Sequence, residues 1–128
     1  MNIERILLAT DGSTRAESAE VYACKLAELW EATLTVMSVL EFTPGLDPEH
    51  PVHRLYLAEL MKQATQNLVD LTAQAADRGI AVRTRIETGI PSEQVLAAAA
   101  AEDADLIIVG TTGKSGLAHV LLGSTARS

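Results

Sequence analysis

Between Gly110 and Thr125 the chain concentrates residues that bind anions. Gly110, Gly113 and Gly116 fall within seven residues, interleaved with Thr111, Thr112, Lys114 and Ser115, and Gly123-Ser124-Thr125 follows. Glycine lets peptide N–H groups approach an anion closely, hydroxyls add donors, and a helix starting nearby adds a favourable dipole. That combination is the chemistry of phosphate binding. Gly123-Ser124-Thr125 reads as a second donor set at another helix start, where Ser124 can cap the helix and meet a phosphate with the same geometry. Gly113-Lys114-Ser115 ends like a P-loop, but that motif requires a glycine five residues before Gly113, and Ile108 stands there inside an apolar run. That Lys-Ser pair reads as a decoy; Lys114 reads as a solvated loop lysine ahead of a phosphate partner.

A second polar cluster, Thr10-Asp11-Gly12-Ser13, ends the first apolar run of the chain. Phosphoryl transfer would need a positioned base and a charge stabiliser, for which the candidates are Asp11, Lys114 and His119. His50 and His53, near Glu49, sit in or beside a proline-rich stretch without a third strong ligand, and read as surface histidines rather than a metal site. Cys24 is the single cysteine, so no internal disulfide forms, and it reads as a small core residue.

The elements that must position these groups follow from apolar patterning. Ile6 to Ala9 and Leu106 to Val109 are short, continuous apolar runs, as strands buried on both faces should be. Thr33 to Leu40 reads as another strand. Ile80 to Glu87 alternates Val82, Thr84 and Ile86 inward with Arg83, Arg85 and Glu87 outward, as suits a strand near a sheet edge, with Arg78, Arg83 and Arg85 solvated. Thr14 with Glu17 matches a capping box, opening a helix to Glu31 whose inner face carries Ala19, Tyr22, Ala23, Leu26, Ala27 and Trp30. A second helix runs from Val52 to Arg78 on Leu57, Leu60, Ala64, Leu68, Leu71 and Ala75, and Gly79 stops it. Phe42 to Pro51 is a proline-rich loop beyond a strand's carboxyl end. Ser92 to Glu102 is a short alanine-rich helix, and Leu117 to Leu122 reads as a helical turn or two.

The order β-α-β-α-β-α-β implies an α/β fold: an open, mostly parallel sheet with right-handed crossovers and helices on both faces. Strand order 3-2-1-4 is expected. It sets strands one and four side by side where the order reverses, and ligands bind beyond the carboxyl ends of strands at such a point. Asp11 and the glycine loop are thereby expected together.

Composition bounds the rest. A chain of 128 residues suits one domain, 1–128, burying roughly two-thirds of its unfolded surface. It is 48% hydrophobic and 21% charged, an ordinary globular balance, with 3% aromatics, so its core is aliphatic. A net charge of −7 with so few rings argues against nucleic acid as a partner. No apolar run approaches a membrane span, and Met1-Asn2-Ile3-Glu4-Arg5 lacks a signal-peptide pattern, so a cytoplasmic location is expected.

Across the whole chain these segments resemble the universal stress protein family, in its ATP-binding branch. Ile6-Leu7-Leu8-Ala9-Thr10-Asp11-Gly12-Ser13 is similar to that family's first strand and aspartate turn. Leu34 to Val39 is similar to its second strand, where histidine is commoner than Ser38. Gly89-Ile90-Pro91 and Asp103 to Gly110 match later segments, and Gly110-x2-Gly113-x9-Gly123-Ser124 resembles its nucleotide signature. The resemblance implies a Rossmann-like, adenine nucleotide alpha hydrolase-like fold and a regulatory stress-response module that binds ATP, accompanied by Mg²⁺ or Mn²⁺. Thr10 and Asp11 are implied nucleotide contacts, Asp11 near the adenosine end or a metal, with Val39 meeting adenine largely through its backbone. Gly110, Thr111 and Gly113 are implied to approach ribose and phosphates, and Gly123, Ser124 and Thr125 to donate to phosphates. No dedicated catalytic residue is implied. The alternative is a slow ATP-hydrolysing or phosphoryl- or adenylyl-transfer enzyme on the same fold. A purely structural, partner-binding member is disfavoured by the intact glycines. Family members usually continue into a last helix and a fifth, Val-rich strand that pairs across a homodimer. The sequence ends at Ser128, so strand four is expected to be an apolar edge covered by another chain or segment, as in a homodimer or other homo-oligomer.

Overall fold

The computed structural model describes residues 3–41, 47, 49–110 and 119–122, with the backbone alone for 15 and 119–122. Among the described residues five strands, β1 (Arg5–Thr10), β2 (Thr33–Glu41), β3 (Val82–Gly89), β4 (Leu106–Gly110) and β5 (His119–Leu122), form one sheet in the order β3-β2-β1-β4-β5. The first four are parallel in the expected order 3-2-1-4. Among the described residues three α-helices accompany them: α1 (Glu17–Trp30), α2 (Pro51–Asp77) and α3 (Pro91–Ala101).

Strand pleating splits the core between the two faces. Ile6 and Leu8 of β1, Leu34 and Val36 of β2, and Leu106 and Ile108 of β4 pack against Ala19, Ala23 and Ala27 of α1 and Leu68, Leu71 and Ala75 of α2. Leu7, Ala9, Met37 and Ile107 point the other way, against Ala98 and Ala99 of α3. Helices α1 and α2 thus cover one face and α3 the other. The alanines bring the helix backbones close to the sheet, and Cys24 joins the core as expected. Gly79, at φ +76°, supplies the left-handed turn that stops α2.

At the amino end of the sheet Asp105 closes the fold. Its Oδ2 accepts the Glu4 N–H at 2.9 Å and the Arg5 N–H at 3.0 Å, and its own N–H donates to the Arg5 carbonyl. The residue before β4 therefore pins the start of β1.

Several sequence expectations are corrected. No capping box forms: Thr14–Ala16 is a 3₁₀ turn, Ala16 is the N-cap of α1, and neither start has a side-chain cap bond. Tyr22 and Trp30 are 45% and 43% exposed. Alanine suffices to cover the sheet, Tyr22 falls on the shoulder of the buried stripe, and Trp30 is the last residue of α1. His53 is buried, because the inner row of α2 extends back one turn beyond Leu57 to reach it. Its Nδ1 has no hydrogen-bond partner among the described residues. His50 is exposed, and its Nδ1 accepts the Val52 N–H at 3.2 Å as the cap of α2.

On β3, Val82 and Ile86 pack against the core, but Thr84 is exposed. Arg85 is not a free solvated charge. It faces the α3 side of the sheet, with Nη1 2.7 Å from Glu102 and Nη2 3.0 Å from Glu87. Arg83 is largely exposed, its Nη1 3.5 Å from Glu102. Residues 119–122 form strand β5, antiparallel to β4 from Leu106↔Leu122 to Val109↔His119, and not a helical turn. A short apolar segment has no period that separates the two states, and the unpaired edge of β4 decides for strand. A segment of the chain itself therefore covers that edge.

Candidate functional site

The carboxyl ends of the parallel strands border a crevice of about 850 Å³, within the range of small-molecule sites. Its floor includes Ala9, Val39 and Val109. One wall is α2, with Tyr56, Leu60, Gln63 and Asn67; the other is the β3–α3 turn, Gly89-Ile90-Pro91, with Val95. The walls lie on opposite faces of the sheet because α2 and α3 do. The crevice spans the place where β1 and β4 meet and the strand order reverses, as expected for this architecture.

Register joins the two sequence motifs. Thr10 and Gly110 are direct partners across the β1–β4 ladder, so the Asp11 turn and the entry to the glycine loop leave the sheet side by side. Thr10, Asp11, Val39 and Gly110 all line the crevice. Thr111, Gly113, Gly123, Ser124 and Thr125 lie outside the described residues, as do Lys114 and most of the loop after β2.

Each described group is held by a local device. Thr10 is 5% exposed; its hydroxyl donates to Glu20 Oε2 at 2.7 Å and accepts the Gly12 N–H at 3.1 Å. Asp11 Oδ1 accepts both the N–H and the hydroxyl of Ser13, at 2.9 and 2.6 Å, closing an Asx turn. Gly12, at φ +75°, occupies left-handed space, and the Asn67 side chain lies where its Cβ would stand. Gly110 is set by packing: a Cβ there would crowd Ala16 and Ala19.

Burial pushes the Glu20 carboxyl above its ordinary range; the Thr10 hydrogen bond lowers it, and nearby Glu17 and Asp11 raise it further. The described lining includes two carboxylates, Asp11 and Glu41, and no Lys, Arg or His. Among the described residues no three His, Cys, Asp or Glu side chains group as metal ligands, and no helix is long and apolar enough to cross a membrane.

Sequence reasoning missed the α2 wall. Tyr56, Gln63 and Asn67 flank the inner row of that helix, so their spacing offered a signal once the helix was known to reach the strand ends. Glu20 gave none, since its link to Thr10 spans two elements.

The sequence model described as the universal stress protein family matches residues 2–128. Universal stress protein MJ0531 of Methanocaldococcus jannaschii is 32% identical over 126 residues, covering 96% of this chain and 73% of that protein. The solved structure of MJ0577 from the same archaeon is similar with a TM-score of 0.75 at 26% identity, over 99% of this chain and 88% of the other. Two structures below 25% identity share the fold. One is a universal stress protein in complex with cAMP (TM-score 0.66, 20% identity, 91% of this chain and 84% of the other). The other, from Archaeoglobus fulgidus, is in complex with dAMP (TM-score 0.63, 21% identity, 91% and 87%). With a match over nearly its whole length and a curated relative at this identity, the chain belongs to the universal stress protein family.

Proposed function

We propose that this chain is a stress-response module that binds an adenine nucleotide, ATP with Mg²⁺ or Mn²⁺, in the crevice at the carboxyl ends of the strands. The observation that carries the reading is the Thr10–Gly110 register, which sets the Asp11 turn beside the entry to a glycine- and hydroxyl-rich loop. Two proteins of the same fold hold cAMP and dAMP, which supports the adenine nucleotide class. In this reading Val39 meets the base, Thr10 and Asp11 stand near the adenosine end, and Gly110, Thr111 and Gly113 approach ribose and phosphates. Gly123, Ser124 and Thr125 donate to the phosphates.

The crevice's acidity bears on the cation. Asp11 and Glu41 would repel a polyphosphate, and a divalent ion would offset that charge. Hard oxygen donors of this kind suit Mg²⁺ or Mn²⁺, and these two carboxylates are what the described crevice offers one. In the same reading residues 1–128 act as one nucleotide-binding domain, in the cytoplasm, as a homodimer or other homo-oligomer.

Calorimetric titration with ATP and Mg²⁺ tests the proposal. Saturable binding is expected, weakened about tenfold in Asp11→Ala by loss of a charged contact. Absence of binding up to millimolar ATP would overturn it. Single-turnover assays of the same proteins separate the enzyme reading: turnover lost in Asp11→Ala with binding retained would favour ATP hydrolysis or group transfer.

A further inference from the structure

Glu20 does not line the crevice, yet it is tied to the part of the wall that presents Asp11. We propose that Glu20 is a positioning residue for the crevice: it orients the Thr10 hydroxyl, which holds the Gly12 peptide and so fixes the Asp11 turn. The affinity part of this inference rests on the nucleotide reading above; the backbone part does not.

The geometry enforces a direction. An ionised carboxylate can only accept, so the single hydroxyl proton of Thr10 is committed to Glu20 Oε2 at 2.7 Å. A lone pair of the same oxygen is thereby aimed at the Gly12 N–H, 3.1 Å away. Thr10 is 5% exposed, so water does not readily replace either bond. The Asn67 side chain fills the space where a Cβ on Gly12 would stand. Gly12 itself holds a left-handed conformation that glycine tolerates. Asp11 then closes onto Ser13 through its Oδ1.

Protonation of Glu20 weakens the first link of this chain. A neutral carboxyl accepts the Thr10 hydroxyl less strongly than a carboxylate does, so the Thr10 oxygen is held less firmly toward the Gly12 N–H. Burial, above all, together with Glu17 and Asp11 raises the Glu20 carboxyl above its ordinary 4.5, against the lowering by Thr10, so this occurs at a higher pH than for a free glutamate. Among the described residues the titratable groups facing it are Glu17 and Cys24 on its own helix and Asp11 on the turn. β4, packed against the same helix, contributes none from Leu106 to Gly110. Nucleotide affinity is therefore expected to fall toward acid pH in the wild type.

Titration of ATP with Mg²⁺ into wild type, Glu20→Ala and Glu20→Gln between about pH 5 and 8, with ¹⁵N spectra of the unliganded proteins, tests this. Glu20→Ala should weaken binding about tenfold, and shift the Gly12 amide and speed its exchange. Glu20→Gln keeps an acceptor; it should return affinity to within about threefold of wild type at neutral pH and flatten the acid fall. Wild-type affinity and an unmoved Gly12 amide in Glu20→Ala, or an undiminished acid fall in Glu20→Gln, would overturn the proposal. If the wild type binds no ATP, the nucleotide reading fails, and the Gly12 amide alone decides the role of Glu20.

Discussion

Gly110 and Ala19 touch across the α1–β4 interface so closely that a Cβ on Gly110 would stand 2.9 Å from the Ala19 Cβ and 3.1 Å from that of Ala16. The first glycine of the Gly110-x2-Gly113 motif thus has a packing duty. It lets the start of α1 sit against the end of β4, beside the crevice. The motif and the α1–β4 packing contact thus share one residue.

Gly110→Ala should destabilise the fold by about 2 kcal/mol through overpacking. Ala19→Gly in the same chain should recover part of that loss by vacating the space. Urea unfolding of the two variants measures both effects; independent, additive costs would show that the contact is not the cause.

Asp105→Ala should be more costly than Asp105→Asn. Alanine leaves the Glu4 and Arg5 N–H groups without the carboxylate that accepts them, a loss of about 3 kcal/mol for two part-buried donors. Asparagine keeps one acceptor oxygen. Urea midpoints order the variants, and exchange of the Glu4 and Arg5 amides locates the damage.

Stability should carry an acid-side contribution from Glu20. Its folded pKa lies above the unfolded value near 4.5 because burial disfavours the charge. The native state therefore binds more protons than the unfolded state in that window. This contribution is fully present below pH 4.5 and is lost as the pH rises through the folded pKa. Glu20→Gln should remove it, seen as a flatter difference in stability against pH. The same proton favours the fold and loosens the Asp11 turn, so stability and nucleotide affinity should move in opposite directions.

What the sequence alone determined is the scaffold and the place of the site. The unbroken apolar runs of β1 and β4 can be buried only on both faces, and alternating strands and helices then demand a parallel sheet with a switch point between them. The Asp11 turn and the end of β4 at Gly110 meet there as a consequence of order along the chain. Tertiary structure decided what depends on distance between elements. The reach of α2 placed Tyr56, Gln63 and Asn67 in the crevice and buried His53. The closeness that alanine permits left Tyr22 and Trp30 outside, and the open edge of β4 drew residues 119–122 into a strand. Glu20 gained a partner in Thr10 in the same way. A period reports which face of an element is apolar; how far that face extends, and what polar group meets it, depends on the neighbour against which it packs.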